Sequence, residues 1–130
     1  KWTPAKGYDS RCISIKIDSN PTIMNRRKYP RMPISYSCEI TFTGNGAKYN
    51  GRTVNISANS FAFSARDKAF ADCREENVSI SVSGFEFLQN HPLNGCIIRS
   101  TDNEGEYIVG CRMDEDDIAI RDYVKENYKE

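Results

Sequence analysis

With 130 residues, 18 basic side chains against 18 acidic ones and a single histidine, the chain is sized for one domain with a core of its own, and no net charge commits it to a nucleic-acid backbone. No run approaches the roughly 18 apolar residues of a membrane span, and the opening "KWTPAKGYDS" lacks the apolar centre of a secretory signal. A cytoplasmic protein without membrane insertion is therefore expected. Five cysteines (Cys12, Cys38, Cys73, Cys96, Cys111), odd in number and without a CxxC pair, read as reduced structural thiols rather than disulfides or zinc ligands.

The charge is uneven along the chain. Residues 1–31 carry eight Lys or Arg against two Asp or Glu, whereas residues 102–130 carry four against ten. A local anion site fits this polarity better than a cationic surface. The chain opens on Lys1 rather than Met, which suggests a fragment or a processed chain. Residues 1–24 are expected to be a linker, with "RCISIKID" (11–18) a candidate extra strand, following an upstream domain.

From residue 25 to 130 the pattern is that of one domain. After the basic "NRRKYPRMP" (25–33), "ISYSCEITFT" (34–43) alternates Ile34, Tyr36, Cys38, Ile40 and Phe42 on one face, and "GNG" at 44–46 signals a hairpin. Further strands are predicted at 47–57, 60–65, 77–83, 95–102 and 105–113, the last two joined by a tight turn at "DNEG". Short strands at this spacing predict an antiparallel sandwich or small barrel. Ile120, Tyr123, Val124 and Tyr128 then recur at helical spacing, so a helix is predicted from Asp114, with "DEDD" (114–117) in its first turn and Asp114 as cap.

Nothing in the sequence assembles a catalytic site, and no enzyme is expected. His91, in "QNHPLNG", has no second histidine and reads as a solvated turn residue. Ser57 and Ser60 lack a nucleophile elbow, and no phosphate-binding loop or dinucleotide fingerprint appears. The four consecutive carboxylates of "DEDD" point in different directions on a helix and make a poor metal site.

Binding residues are easier to find. Arg27 and Arg31 are spaced R-x-x-x-R, Arg26 doubles the first, and Pro30 and Pro33 bias the segment away from helix. Guanidinium groups grip phosphate bidentately or stack on a base. In "NISANS" (55–60), Asn55 and Ser57 are two residues apart, hence on one face of a strand, where an amide and a hydroxyl can read the edge of a purine. A cationic clamp with a polar base reader implies a nucleotide.

The two stretches "RKYPR" (27–31) and "NISANS" (55–60), in this order ahead of antiparallel strands and a closing helix, resemble the signature R-x-x-x-R … [D/N]-x-S-x-x-G of the PilZ domain, a bacterial receptor module for the second messenger cyclic di-GMP. The strand "YIVGCRM" is also similar to the family's penultimate element. The resemblance implies an all-β fold, a six-stranded antiparallel β-barrel with one C-terminal α-helix. It implies cyclic di-GMP as ligand, with no cofactor, held by Arg26, Arg27 and Arg31 on phosphate and guanine and by Asn55 and Ser57 on guanine edges. The doubled arginine further implies an intercalated dimer of the ligand. Ser60, counted with the ligand-binding positions, stands where the family has glycine; if that position is left-handed a strained turn is expected there, with Asn59 or a local rearrangement taking up the unusual dihedral. The resemblance also implies a partner, either an upstream domain or a separate output protein, to which nucleotide binding is reported. A degenerate PilZ-like interaction domain that binds no nucleotide is the alternative. An oligonucleotide-binding barrel would need aromatic residues interleaved with basic ones, for which Tyr29 alone is a thin basis, and no DNA partner is expected.

Overall fold

The computed structural model describes residues 28–129. The predicted strand at 11–18, the linker at 1–24, and Arg26 and Arg27 lie outside the described residues. Seven strands follow in chain order: β1 (Met32–Pro33), β2 (Ser37–Phe42), β3 (Lys48–Ser57), β4 (Ser60–Ala65), β5 (Asn77–Val82), β6 (Leu93–Asn103) and β7 (Glu106–Arg112). Short 3-10 turns, Lys68–Ala71 and Glu86–Leu88, flank β5, and helix α1 (Ile118–Asn127) ends the described chain.

Every pairing is antiparallel, in the order β3-β2-β5-β6-β7-β4, and β4 pairs back onto β3. Six strands thus close a barrel, and β1 adds two residues beside the C-terminal part of β3. The expected all-β, six-stranded antiparallel barrel with one C-terminal helix is the fold the chain adopts.

Local sequence accounts for the turns. Glu104 (φ 56°) and Gly105 (φ 89°) both sit in the left-handed region, the two-residue hairpin geometry that matches strand twist, and the Asp102 side chain accepts a 2.9 Å bond from the Gly105 amide. Closure depends on Gly51. Paired with Cys38 of β2, it also receives the Ser64 carbonyl of β4 so closely that any Cβ would collide with it and with Ile40 Cδ1. Only glycine lets β3 leave one neighbour for the next at that corner.

Inward positions fill the barrel with Ile40, Ile56, Phe61, Phe63, Ile80, Ile97 and Val109, all at most 1% exposed. Phe70, from the first 3-10 turn, plugs one end, its ring against Phe42, Tyr49 and Phe63. At the other end α1 buries Ile120 and Val124, and Tyr123 stacks on Phe87 at 4.1 Å. A helix of ten residues with little intrinsic propensity advantage is held by this packing rather than by its own hydrogen bonds.

Two sequence expectations need correction at the helix start. α1 begins at Ile118, so "DEDD" precedes the helix instead of forming its first turn, and the cap is Asp117, whose Oδ1 accepts from the Ile120 amide at 3.0 Å, not Asp114. The reason lies in the neighbouring hairpin. Met113 donates its amide to the Asn59 carbonyl (2.9 Å) and Asp117 donates to the Ala58 carbonyl (2.7 Å), which holds the intervening residues out of helical conformation. His91 is likewise more than a solvated turn residue, since its Nε2 lies 2.8 Å from Asp117 Oδ2. One carboxylate therefore caps the helix and fastens the β5–β6 connection to it.

Candidate functional site

The basic segment reaches the barrel through β1. Met32 pairs with Ile56 and Pro33 with Asn55, which sets Arg31, one residue earlier, at the level of Ser57. A bulge in β3 between Thr53 and Asn55 leaves Val54 without a direct opposite, and beyond it Ile56 points into the core while Asn55 faces outward. Arg31, Asn55 and Ser60 border one shallow depression, floored by Ala62 and Gly110. Of the residues named from sequence, these three converge; Arg26 and Arg27 lie outside the described residues.

Ser57 is different. It is fully buried, and its hydroxyl lies 2.8 Å from Ser60 Oγ and 3.0 Å from Asn59 Oδ1, while accepting a 3.3 Å bond from the Asn59 amide. In this conformation Ser57 holds the Ala58–Asn59 hairpin together. The expected strain is not there: among the described residues the non-glycine positions with positive φ are Glu75, Asn90 and Glu104, so neither Asn59 nor Ser60 carries the left-handed dihedral. Because the backbone at 60 is ordinary, a Cβ is tolerated, and the serine contributes a hydroxyl to the hairpin network.

Just upstream, the Asp116 carboxylate accepts a 2.7 Å bond from the Tyr29 hydroxyl and a 3.3 Å bond from Lys28 Nζ. Those two bonds, the tyrosine's first, hold Asp116 below the usual carboxylate range, and the same carboxylate raises the Lys28 pKa. Tyr29 and Pro30 also form one wall of an apolar groove against Ala58, Val124 and Tyr128 of the hairpin and α1. The acidic end of the chain thus fastens the segment that carries Arg31.

A larger cleft lies elsewhere, about 520 Å³ between Pro92–Asn94 and residues 113–118. Four carboxylates line it, the wrong sign for a phosphate ligand. Among the described residues no group of three or more His, Cys, Asp or Glu is placed to hold a metal ion. No described helix is long and apolar enough to cross a membrane.

Sequence reasoning missed Tyr29, Asp116 and Arg99. The last lies along Gly110 and borders the same depression as Arg31 and Asn55. A lone arginine after the apolar run "GCII" was its only signal.

Solved structures of similar fold include the inhibitor of motility MotI/DgrA of Bacillus subtilis (TM-score 0.60, 16% identity, 81% of this chain and 54% of that one). The PilZ domain of Escherichia coli YcgR with c-di-GMP superimposes with TM-score 0.58 at 14% identity, over 77% of this chain and 86% of that one. The K. pneumonia MrkH–c-di-GMP complex gives 0.57 at 12%, over 78% and 49%. The chain thus spans about half the length of MotI/DgrA and of MrkH. No curated protein matches its sequence. The sequence profile of the PilZ domain matches residues 25–126, from the basic segment to the last turns of α1, and the chain belongs to the PilZ domain family.

Proposed function

We propose that this domain is a cyclic di-GMP receptor module that couples nucleotide binding to an attached or partner protein. The observation that carries the reading is the convergence of Arg31, Asn55 and Ser60 on one outward-facing depression of the barrel. Arg31, with Arg26 and Arg27 from the preceding residues, supplies guanidinium donors for phosphate, and Asn55 supplies an amide for a guanine edge. Ser57 reaches ligand only by exchanging its Ser60 or Asn59 partner for a ligand atom; otherwise it keeps the hairpin in shape. Family membership and the likeness to two structures solved with c-di-GMP support the same reading. It needs neither cofactor nor metal. The doubled arginine favours an intercalated ligand dimer, and the module works in a bacterial cytoplasm beneath an upstream domain or beside an output protein.

Calorimetry with cyclic di-GMP, and competition of the labelled ligand with GTP and single-stranded DNA, test the reading. Selective binding is expected, weakened roughly tenfold to a hundredfold in Arg27→Ala and Arg31→Ala, the loss of one charge-assisted partner. A wild-type protein that binds none of the three is instead a protein-interaction domain.

A further inference from the structure

A single row of cross-strand neighbours runs over the outer face of the barrel. Asn55 pairs with Ala62, Ala62 with Gly110, and Gly110 with Arg99. The flanking residues Ile56, Phe61, Phe63, Val109 and Cys111 are all in the core, so the row faces outward. Three strand-to-strand steps of about 4.8 Å give it a length of about 14 Å. Its two middle members carry no side chain beyond a methyl group, so the strip between the two polar ends is flat, and in this conformation it is covered: Ala62 is 5% exposed and the Arg99 side chain lies over Gly110.

Both ends are set by the same device. One bulge precedes Asn55 in β3, and a second, between Ile97 and Arg99, precedes Arg99 in β6. With Ile97 fully buried, strict alternation would turn Arg99 into the core; the extra residue, Ile98, returns it to the surface. The arginine then lies flat along Gly110, where an added Cβ would meet Nε at 3.3 Å and Cγ and Cζ at 3.4 Å. Among the described residues no hydrogen bond or ion pair engages its guanidinium. Its donors are therefore available at the border of the depression that Arg31, Asn55 and Ser60 share.

We propose that Arg99 reads the base: swinging off Gly110, it donates two parallel N–H bonds to O6 and N7 of a guanine whose ring takes its place over the Ala62–Gly110 floor, and so selects guanine over adenine. This rests on the receptor reading above. Guanine presents two acceptors on that edge, matching the guanidinium fork, whereas adenine presents an amino donor beside N7 that opposes a second donor. Lysine keeps the charge but not the fork.

The test is calorimetry of cyclic di-GMP and cyclic di-AMP with wild type, Arg99→Ala, Arg99→Lys and Gly110→Ser, melting temperature serving as the fold control. Arg99→Ala should weaken cyclic di-GMP binding roughly tenfold to a hundredfold and reduce the preference over cyclic di-AMP by a similar factor. Arg99→Lys should not restore the preference, and Gly110→Ser, which displaces the arginine and raises the floor, should weaken cyclic di-GMP binding in a folded protein. Tight wild-type binding with an unchanged preference in Arg99→Ala overturns the assignment, and a preference retained in Arg99→Lys does so in favour of a phosphate contact. If wild type binds neither dinucleotide, the receptor reading itself fails, and the Arg99 assignment with it.

Discussion

The Tyr29 hydroxyl donates a 2.7 Å hydrogen bond to Asp116, 87 residues along the chain. Through it the acidic loop before α1 holds the segment that leads to Arg31, with Lys28 adding a second bond to the same oxygen. Asp116→Ala should raise hydrogen exchange through residues 28–33 while leaving the melting temperature nearly unchanged, because an exposed pair contributes little to global stability. The Asp116 carboxyl titrates below its ordinary range because its charged form is the hydrogen-bonded one. The contact is accordingly present above the unfolded carboxylate pKa and lost as pH falls through the lowered folded value. Amide shifts of Tyr29 should stay constant from neutral pH down to the ordinary carboxylate range and move as the pH falls below it.

Ser57 and Ser60 form the smallest polar network of the site, and their substitutions separate shape from contact. Ser57→Ala leaves the Asn59 amide and the Ser60 hydroxyl short of a partner, at an expected cost of about 1–3 kcal/mol in denaturant unfolding. Ser60→Gly removes one hydroxyl and adds backbone freedom, for about 0.5–1.5 kcal/mol. Since Ser60 has no left-handed strain to relieve, the glycine should bind cyclic di-GMP no more tightly than wild type. A large gain in affinity would mean that the turn changes shape on binding.

Phe70 is fully buried, and three aromatic rings close around it. Phe70→Ala should cost about 3–5 kcal/mol, the range for large-to-small changes in a tight core, and Phe70→Leu distinctly less. Chemical denaturation measures both. Equal costs would mean that the Lys68–Ala71 turn detaches from the barrel once the ring is gone.

Thiol labelling at neutral pH should discriminate among the four cysteines of the described residues, Cys38, Cys73, Cys96 and Cys111. Burial pushes the Cys38 thiol up to about 11 and raises Cys73 and Cys111 as well, whereas Cys96 is only partly buried. Because the thiolate is the reactive form, Cys96 should react well ahead of the other three in folded protein. All should react alike in denaturant. Fast native labelling of Cys111 would contradict its position in β7 facing the core.

Much of this architecture was legible because period-two alternation and turn residues are local signals. "ISYSCEITFT" and "GNG" gave β2 and its hairpin, and the helical spacing from Ile120 to Tyr128 gave α1. The start of that helix was not legible, since backbone bonds from Ala58 and Asn59, more than fifty residues earlier, delay it to Ile118. Nor was Arg99 legible as a surface residue. Two-residue spacing places it on the face of Ile97, and only the pairing with β7 reveals the bulge that turns it out. Ser57 was found by motif, but its burial depends on the hairpin closing over it.

The ring of six strands has a consequence for how this domain meets other molecules. Each barrel strand already has a backbone partner on both sides, and the one added piece, β1, is two residues long and includes Pro33, which has no amide to offer. Among the described residues strand addition, and the edge-to-edge aggregation that open sheets risk, find little template: the main stretch with one open side is the end of β6, Arg99–Asn103, which pairs with β7 alone. Contacts made by the rest of the barrel run through side chains and loops, where a single substitution can add or remove them without disturbing the ladder beneath.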